Sequence, residues 1–211
     1  MKLYNLTSIP FALSNLALGR LKISRISELN DPFELMSANT NDISQRNALE
    51  KFKEQTNDSI GLICFSESFT NPVLWGHYAD RHCGVALGFE VDAGLLLQVA
   101  YTHIKFDLPI NQLTNQVECD EETLKKLLST KFIGWDNENE WRLFCILEDS
   151  VNESGLYFER FSNELYLTEV ILGAKSELPI DEMQSFINKL GYKIQVKKAK
   201  FADDKFEIVL D

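Results

Sequence analysis

The sequence predicts an α+β fold: a single domain spanning all 211 residues, with mixed or antiparallel sheets and flanking helices. Three observations lead there. Short apolar, β-branched or aromatic runs recur along the whole chain, as strands require. Helical patterns interrupt them without the strict alternation of a doubly wound parallel sheet. No repeat, low-complexity stretch or Pro/Gly-rich linker divides the chain. The composition, 45% hydrophobic with fourteen Phe, supplies ample material for one core.

Taken in order, Leu3 to Leu6 reads as a short strand. Pro10 to Leu18 reads as a helix, with Thr7 or Ser8 as its cap and Gly19 as its terminator. Leu21 to Ser24 is a second short strand, and Asn30-Asp31-Pro32 is a turn signal. Ser44 to Asn57 has the pattern of a polar amphipathic helix, and Gly61 to Phe65 that of an apolar strand. Asn71-Pro72 opens a short helix to about Asp80, followed by a core strand from Gly84 to Val91. Gln98 to Lys105 has strand content. Asp120 to Phe132 reads as a helix whose acidic first turn suits the helix dipole. Further strands are expected at Arg142 to Leu147, Gly155 to Arg160, Glu169 to Leu172, Lys193 to Lys198 and Phe206 to Leu210. A helix from Ile180 to Leu190 is closed by Gly191.

The net charge of −11 and a pI near 4.8 oppose broad electrostatic binding of nucleic acid and docking on an anionic membrane. The dense basic stretch Lys193, Lys197, Lys198 and Lys200 reads as a solvated face. Cys64, Cys83, Cys119 and Cys145 form no CxxC pair and read as buried, reduced thiols. Met1 leads into Lys2-Leu3-Tyr4 without a signal-like apolar run, and no apolar stretch reaches ~18 residues, so a cytoplasmic protein without a spanning helix is expected.

The residues that point to chemistry fall in four blocks. The most informative is Trp135-Asp136-Asn137-Glu138-Asn139-Glu140-Trp141-Arg142, at the mouth of the apolar run Leu143 to Leu147. If the extended conformation reaches back through it, Glu138, Glu140 and Arg142 share one face. Acids so placed are neutralised by basic partners, Arg142 first among them, or kept for chemistry. The second block is Asn30-Asp31-Pro32-Phe33-Glu34, which reads either as a tight turn anchored by Phe33 or as a turn that sets Asn30, Asp31 and Glu34 at a pocket rim. The third is Ser66-Glu67-Ser68, whose hydroxyls emerge where a strand ends. No Gly-x-Ser-x-Gly elbow surrounds them, which argues against a serine nucleophile. The fourth is Trp75 to Gly84. Its His77 and His82 are five residues apart and diverge on a helix, so no metal site is expected. Trp75, Tyr78 and His82 instead suit either an aromatic wall for a flat heterocycle or half-buried aromatics beside a hydrogen-bonded His.

In this order, the blocks resemble a bacterial family catalogued as a domain of unknown function. The shared pattern is Leu3-Tyr4-Asn5-Leu6-Thr7-Ser8, Asn30 to Glu34, Cys64-Phe65-Ser66, then Trp75, Tyr78, Ala79, His82 and Gly84, and finally Trp135 to Arg142. The resemblance covers roughly residues 3 to 175, and departs from the pattern at Leu6, where an aromatic is usual. A second similarity is to the mono-ADP-ribosyltransferases, in which a serine-bearing strand braces a dinucleotide pocket and a Glu-x-Glu pair acts on the nicotinamide ribose. That resemblance implies NAD as substrate, Ser66 and Ser68 as the bracing serines with Glu67 in place of Thr, Glu140 as the catalytic acid, and Glu138 as the group that orients or deprotonates an acceptor. Tyr4, Arg20 and Arg25 compete for the first-motif role.

The resulting expectation is an NAD-dependent ADP-ribosyltransferase-like enzyme, a toxin or antiphage effector in its biological setting. Glu140 and Glu138 carry the chemistry. Tyr4, Asn30, Ser66, Ser68, Trp75, Tyr78, His82 and Arg142 bind the nucleotide. The rivals are a non-catalytic sensor of a nucleotide and a different acid-dependent hydrolase or transferase.

Overall fold

The computed structural model describes residues 1–40, 42–107, 110–111, 116–117 and 120–211, the side chains of 110, 111 and 116 excepted. The fold is α+β, as expected: a mixed sheet with flanking helices. Its strands of three or more residues are β1 (Lys2–Thr7), β2 (Arg20–Arg25), β3 (Ile60–Ser66), β4 (Val85–Val91), β5 (Leu96–Gln98), β6 (Ala100–Thr102), β7 (Thr130–Phe132), β8 (Glu140–Ile146), β9 (Val151–Glu153), β10 (Leu156–Arg160), β11 (Leu165–Leu172), β12 (Gln195–Phe201) and β13 (Ile208–Leu210). The helices are α1 (Ile9–Leu18), α2 (Ile43–Ser59), α3 (Pro72–Tyr78), α4 (Glu121–Ser129) and α5 (Ile180–Lys189). Among the described residues no helix is long and apolar enough to cross a membrane.

The main sheet runs β9-β10-β2-β3-β1-β4-β11-β12-β13, with β8 on the far edge of β3 and β5 beyond it. All neighbours in it are antiparallel except β11 and β12. Alternation along the strands separates two faces. On one, Leu3, Phe65, Leu87, Phe89, Leu143 and Val170 pack with Ala12 and Leu16 of α1 and Met183 and Ile187 of α5. The opposite face carries two apolar patches. Leu62 of β3 packs with Leu49 of α2 and Leu127 and Leu128 of α4. Tyr4, Ala86 and Ile171 pack with Trp75 and Ala79 of α3. Polar groups collect where these patches meet.

The sheet splits along β3. Its far edge pairs with β8 from Ile60 to Ser66. Its near edge meets β2 only at Gly61 and Leu62, and β1 only at Ser66. Between those contacts β1 and β2 diverge, and Asn5 Nδ2 donates to the Cys64 carbonyl at 3.1 Å in place of a strand partner. The gap is the floor of a cavity.

Three elements depart from the sequence expectation. The predicted strand from Gln98 to Lys105 is two short ones, β5 and β6, which turn at Val99 to different partners: β5 to β8, and β6 in parallel to β7. The predicted helix to Phe132 ends at Ser129, whose hydroxyl bonds back to the Lys125 carbonyl at 2.7 Å. The β-branched Thr130 then opens β7. The extended conformation of β8 does not reach back to Glu138. That residue ends a 3-10 turn, Ile133–Glu138, and Asn139 follows at φ 42, a left-handed position that Asn tolerates better than most residues.

Candidate functional site

The cavity has a volume of about 250 Å³, just below the ~300–1,000 Å³ usual for small-molecule sites. β1 contributes Tyr4 and Asn5 to its wall, β2 Lys22 and Ser24, and β3 the stretch Ile63 to Ser66. The 28–34 loop brings Asn30 and Glu34, α3 brings Tyr78, and Lys131, Glu138 and Glu140 complete it.

At its polar end the groups form one continuous chain of bonds. Asn30 Nδ2 donates to the Tyr78 hydroxyl at 2.5 Å, and that hydroxyl donates to Glu138 Oε1. Lys131 Nζ donates to Glu138 Oε2 at 2.6 Å and to Glu140 Oε2 at 3.1 Å. Arg142 Nε donates to Glu140 Oε1 at 2.9 Å, and its two terminal nitrogens fork onto Glu34. A further bond runs from Arg142 to the Leu128 carbonyl at 2.7 Å. Glu34, Lys131, Glu138, Glu140 and Arg142 are all buried. The two acids of the Glu-x-Glu motif therefore meet without sharing an extended strand: Asn139 turns the chain, and Lys131 ties the carboxylates from the other side.

The electrostatics follow from burial set against pairing. For Glu140, burial favours the neutral form, but Arg142 and Lys131 outweigh it and hold the carboxyl down at about 2. For Glu34, burial wins over the single Arg142 it faces, and the carboxyl lies above its ordinary value. Lys131 and Arg142 are both buried, yet the surrounding carboxylates raise their proton affinity. Tyr78 is held neutral by burial and by its bond to Glu138. Burial, followed by Glu140, raises the Cys64 thiol well above the ordinary range. Tyr101, whose hydroxyl accepts from the Glu140 backbone N–H at 2.9 Å, is pushed up to about 12 chiefly by burial.

Three carboxylates thus share two cations. Arg142 and Glu34 form a forked pair, which leaves one ammonium, Lys131, between Glu138 and Glu140. With all three acids ionised the network is one negative charge in excess, and it faces the cavity through Glu138 and Glu140. Such a site favours a ligand that donates hydroxyl hydrogens or carries positive charge.

The expected site residues divide sharply by position. Tyr4, Asn30, Ser66, Tyr78, Glu138 and Glu140 line the cavity, and Arg142 lies immediately behind Glu140. Ser66 Oγ donates to the Glu138 carbonyl at 2.7 Å, so it fixes the turn that aims this acid. Ser68 is outside the wall and bonds to Thr70. Trp75 is fully buried, and its indole N–H donates to the Phe69 carbonyl at 2.6 Å. Its faces belong to the core and offer no wall to a ligand. His82 lies outside the cavity lining, in a turn where Asp80, Arg81 and His82 all have positive φ, with its ring 5.3 Å from that of Phe201. Burial and then Lys175 lower its proton affinity. Of the three first-motif candidates, only Tyr4 reaches the cavity. Arg20 forks onto Glu153 and stacks on Phe158, while Arg25 lies by Glu28. Cys64 and Cys83 are half-buried and Cys145 is buried, all with free thiols. Cys119 lies outside the described residues. In the basic stretch, Lys197 pairs with Glu169, Lys198 donates to the Ser176 carbonyl, and Lys200 pairs with Asp211.

Lys131 was not among the expected residues. The visible signal was a cation inside the apolar stretch Thr130-Lys131-Phe132-Ile133, seven residues before Glu138. Compared with protein-family models, curated proteins and solved structures, the chain matches none.

Proposed function

We propose that the chain is an NAD-dependent, ADP-ribosyltransferase-like enzyme that cleaves the bond between nicotinamide and ribose in this cavity. The observation that carries the reading is the Glu138–Lys131–Glu140 arrangement: two carboxylates on one buried ammonium, facing a cavity of about 250 Å³. Departure of nicotinamide leaves an oxocarbenium-like ribosyl cation, and fixed negative charge lowers the energy of that state. Glu140 suits the electrostatic part, because a carboxyl held at about 2 stays ionised at neutral pH. Glu138, hydrogen-bonded to Tyr78 and Lys131, is the acid to accept a ribose hydroxyl or the proton of an acceptor. Ser66, Tyr78 and Asn30 are positioning residues.

The test is nicotinamide release from NAD by the wild type and by Glu138→Gln, with thermal melting as the control for folding. Loss of about a hundredfold or more in turnover is expected, the size typical of removing a positioned acid–base group, in a variant that still melts cooperatively. Turnover unaffected by Glu138→Gln would sink the assignment. One observation favours a second reading, a non-catalytic nucleotide sensor: both oxygens of Glu140 are already engaged by Arg142 and Lys131. That reading expects NAD to raise the melting temperature with no nicotinamide formed.

A further inference from the structure

A second cavity, of about 240 Å³, shares Lys131 with the first. The same loop serves both: Asn30 and Glu34 face the first cavity, while Phe33 and Met36 face the second. Three features of the second cavity are independent of the acids. Its rim carries large exposed apolar groups, Phe33 at 54%, Phe132 at 51% and Ile104 at 79% of their full exposure. Its lining includes Ser37, whose residue is 8% exposed and whose hydroxyl is buried with no hydrogen-bond partner among the described residues. A buried hydroxyl of this kind is costly, and this one is covered by the surrounding residues and does not open to the cavity. Finally, Lys105 stands over the Phe33 ring at 5.4 Å and pairs with no carboxylate among the described residues, and His103 sits edge-on to Phe132 at 6.2 Å.

We propose that this cavity binds an adenosine phosphate, with the purine stacked on Phe132 and Phe33 and the phosphate drawn to Lys105. The inference rests on the dinucleotide reading, since it assigns the adenosine end of the same substrate. The chemistry fits the occupant. Exposed aromatic faces stack bases, and the Lys105 ammonium beside them answers phosphate. The first cavity has the opposite character: its excess negative charge repels phosphate and suits the hydroxyl-bearing ribose next to nicotinamide. A dinucleotide lying past Lys131 would then meet acid at one end and base at the other.

The test is calorimetric titration of the full chain with adenosine monophosphate. Saturable binding is expected, weakened about tenfold by Phe132→Ala, the loss of one stacking platform, and weakened also by Lys105→Ala. Both substituted residues are exposed, so folding tolerates the changes. Absence of binding at millimolar nucleotide overturns the inference, and so does binding that neither Phe132→Ala nor Lys105→Ala weakens. If adenosine monophosphate binds as expected but NAD yields no nicotinamide, the adenosine site stands and the transferase reading fails. If NAD is turned over equally by wild type and Phe132→Ala while adenosine monophosphate does not bind, the transferase reading stands and this inference fails.

Discussion

Replacing Lys131 with Met tests the network at its centre. The ammonium lies 2.6 Å from Glu138 and 3.1 Å from Glu140, and its side chain is 4% exposed. At an effective dielectric of about 20, each contact is worth roughly 5–6 kcal/mol before desolvation is counted. Desolvation of the ammonium cancels much of this, and removal of one partner from a buried ion pair costs about 3–5 kcal/mol in net. That is a large fraction of the ~5–15 kcal/mol that holds a domain together. The sign of the pH dependence is the sharper test. Without the ammonium, Glu138 and Glu140 face each other, and the pair takes up a proton that titrates jointly and above the ordinary carboxylate range. A group whose folded pKa is raised contributes stability that is present below its unfolded value and lost as the pH rises through the folded one. Urea unfolding followed by tryptophan fluorescence should therefore show Lys131→Met losing stability relative to the wild type between about pH 5 and about pH 8. An equal loss at both pH values, or a variant within ~0.5 kcal/mol of wild type as for an ordinary surface change, would refute the idea that this ammonium holds the two acids.

Two further predictions concern stability. In the wild type, Glu140 is depressed from an ordinary 4.5 to about 2, which corresponds to roughly 3 kcal/mol. That contribution is present above about pH 4.5 and lost as the pH falls through about 2, so urea midpoints should drop along this limb and Glu140→Gln should remove it. Glu34, raised by burial, acts outside that limb: its contribution is complete below about pH 4.5 and is lost as the pH rises through its folded value. Elsewhere on the sheet, Gly88→Ala should cost about 1–3 kcal/mol by overpacking, because a Cβ there would lie 2.7 Å from Glu169 Cγ and 3.3 Å from Tyr4. Glu169 has little freedom to retreat, since Tyr4, Lys2 and Lys197 all hold its carboxylate. Comparing urea midpoints, the cost of Gly88→Ala should shrink in a Glu169→Ala background, and strict additivity would show that the two positions do not press on each other.

The fold was more legible than the site, and the reason is range. Strands β4 and β11 are near-continuous apolar runs, and α1 carries its stop in Gly19 at φ 60; such signals act within a few residues. The Gln98 to Lys105 segment misled because its β content was real while its division at Val99 depends on which strands lie beside it. The site is made of contacts that no local pattern records. Glu34 and Arg142 are 108 positions apart, and the Glu-x-Glu motif alone says nothing of the ammonium that Lys131 inserts from β7. Residue type also fails to separate core from cavity. Trp75 and Tyr78 lie on the same short helix and read alike, yet one is sealed against Ile171 and Ala86 and the other reaches Glu138.

What the sequence did mark, the Asn30 to Glu34 block, does more than form a turn. Asp31 accepts from the Phe33 N–H at 2.9 Å and closes the loop on itself. Closure at Asp31 sends neighbouring side chains to different places: Asn30 to Tyr78, Glu34 to Arg142, and Phe33 out to the second cavity. A five-residue turn thus sets the hydroxyl that meets Glu138, the carboxylate that occupies Arg142, and the ring beside Lys105. Because Glu34 occupies one side of the guanidinium, Arg142 is left to offer Glu140 only its Nε edge and one terminal nitrogen. The remaining demand of Glu140 falls on Lys131, which must also serve Glu138. The negative surplus at the cavity wall is therefore a consequence of that turn as much as of the Glu-x-Glu motif.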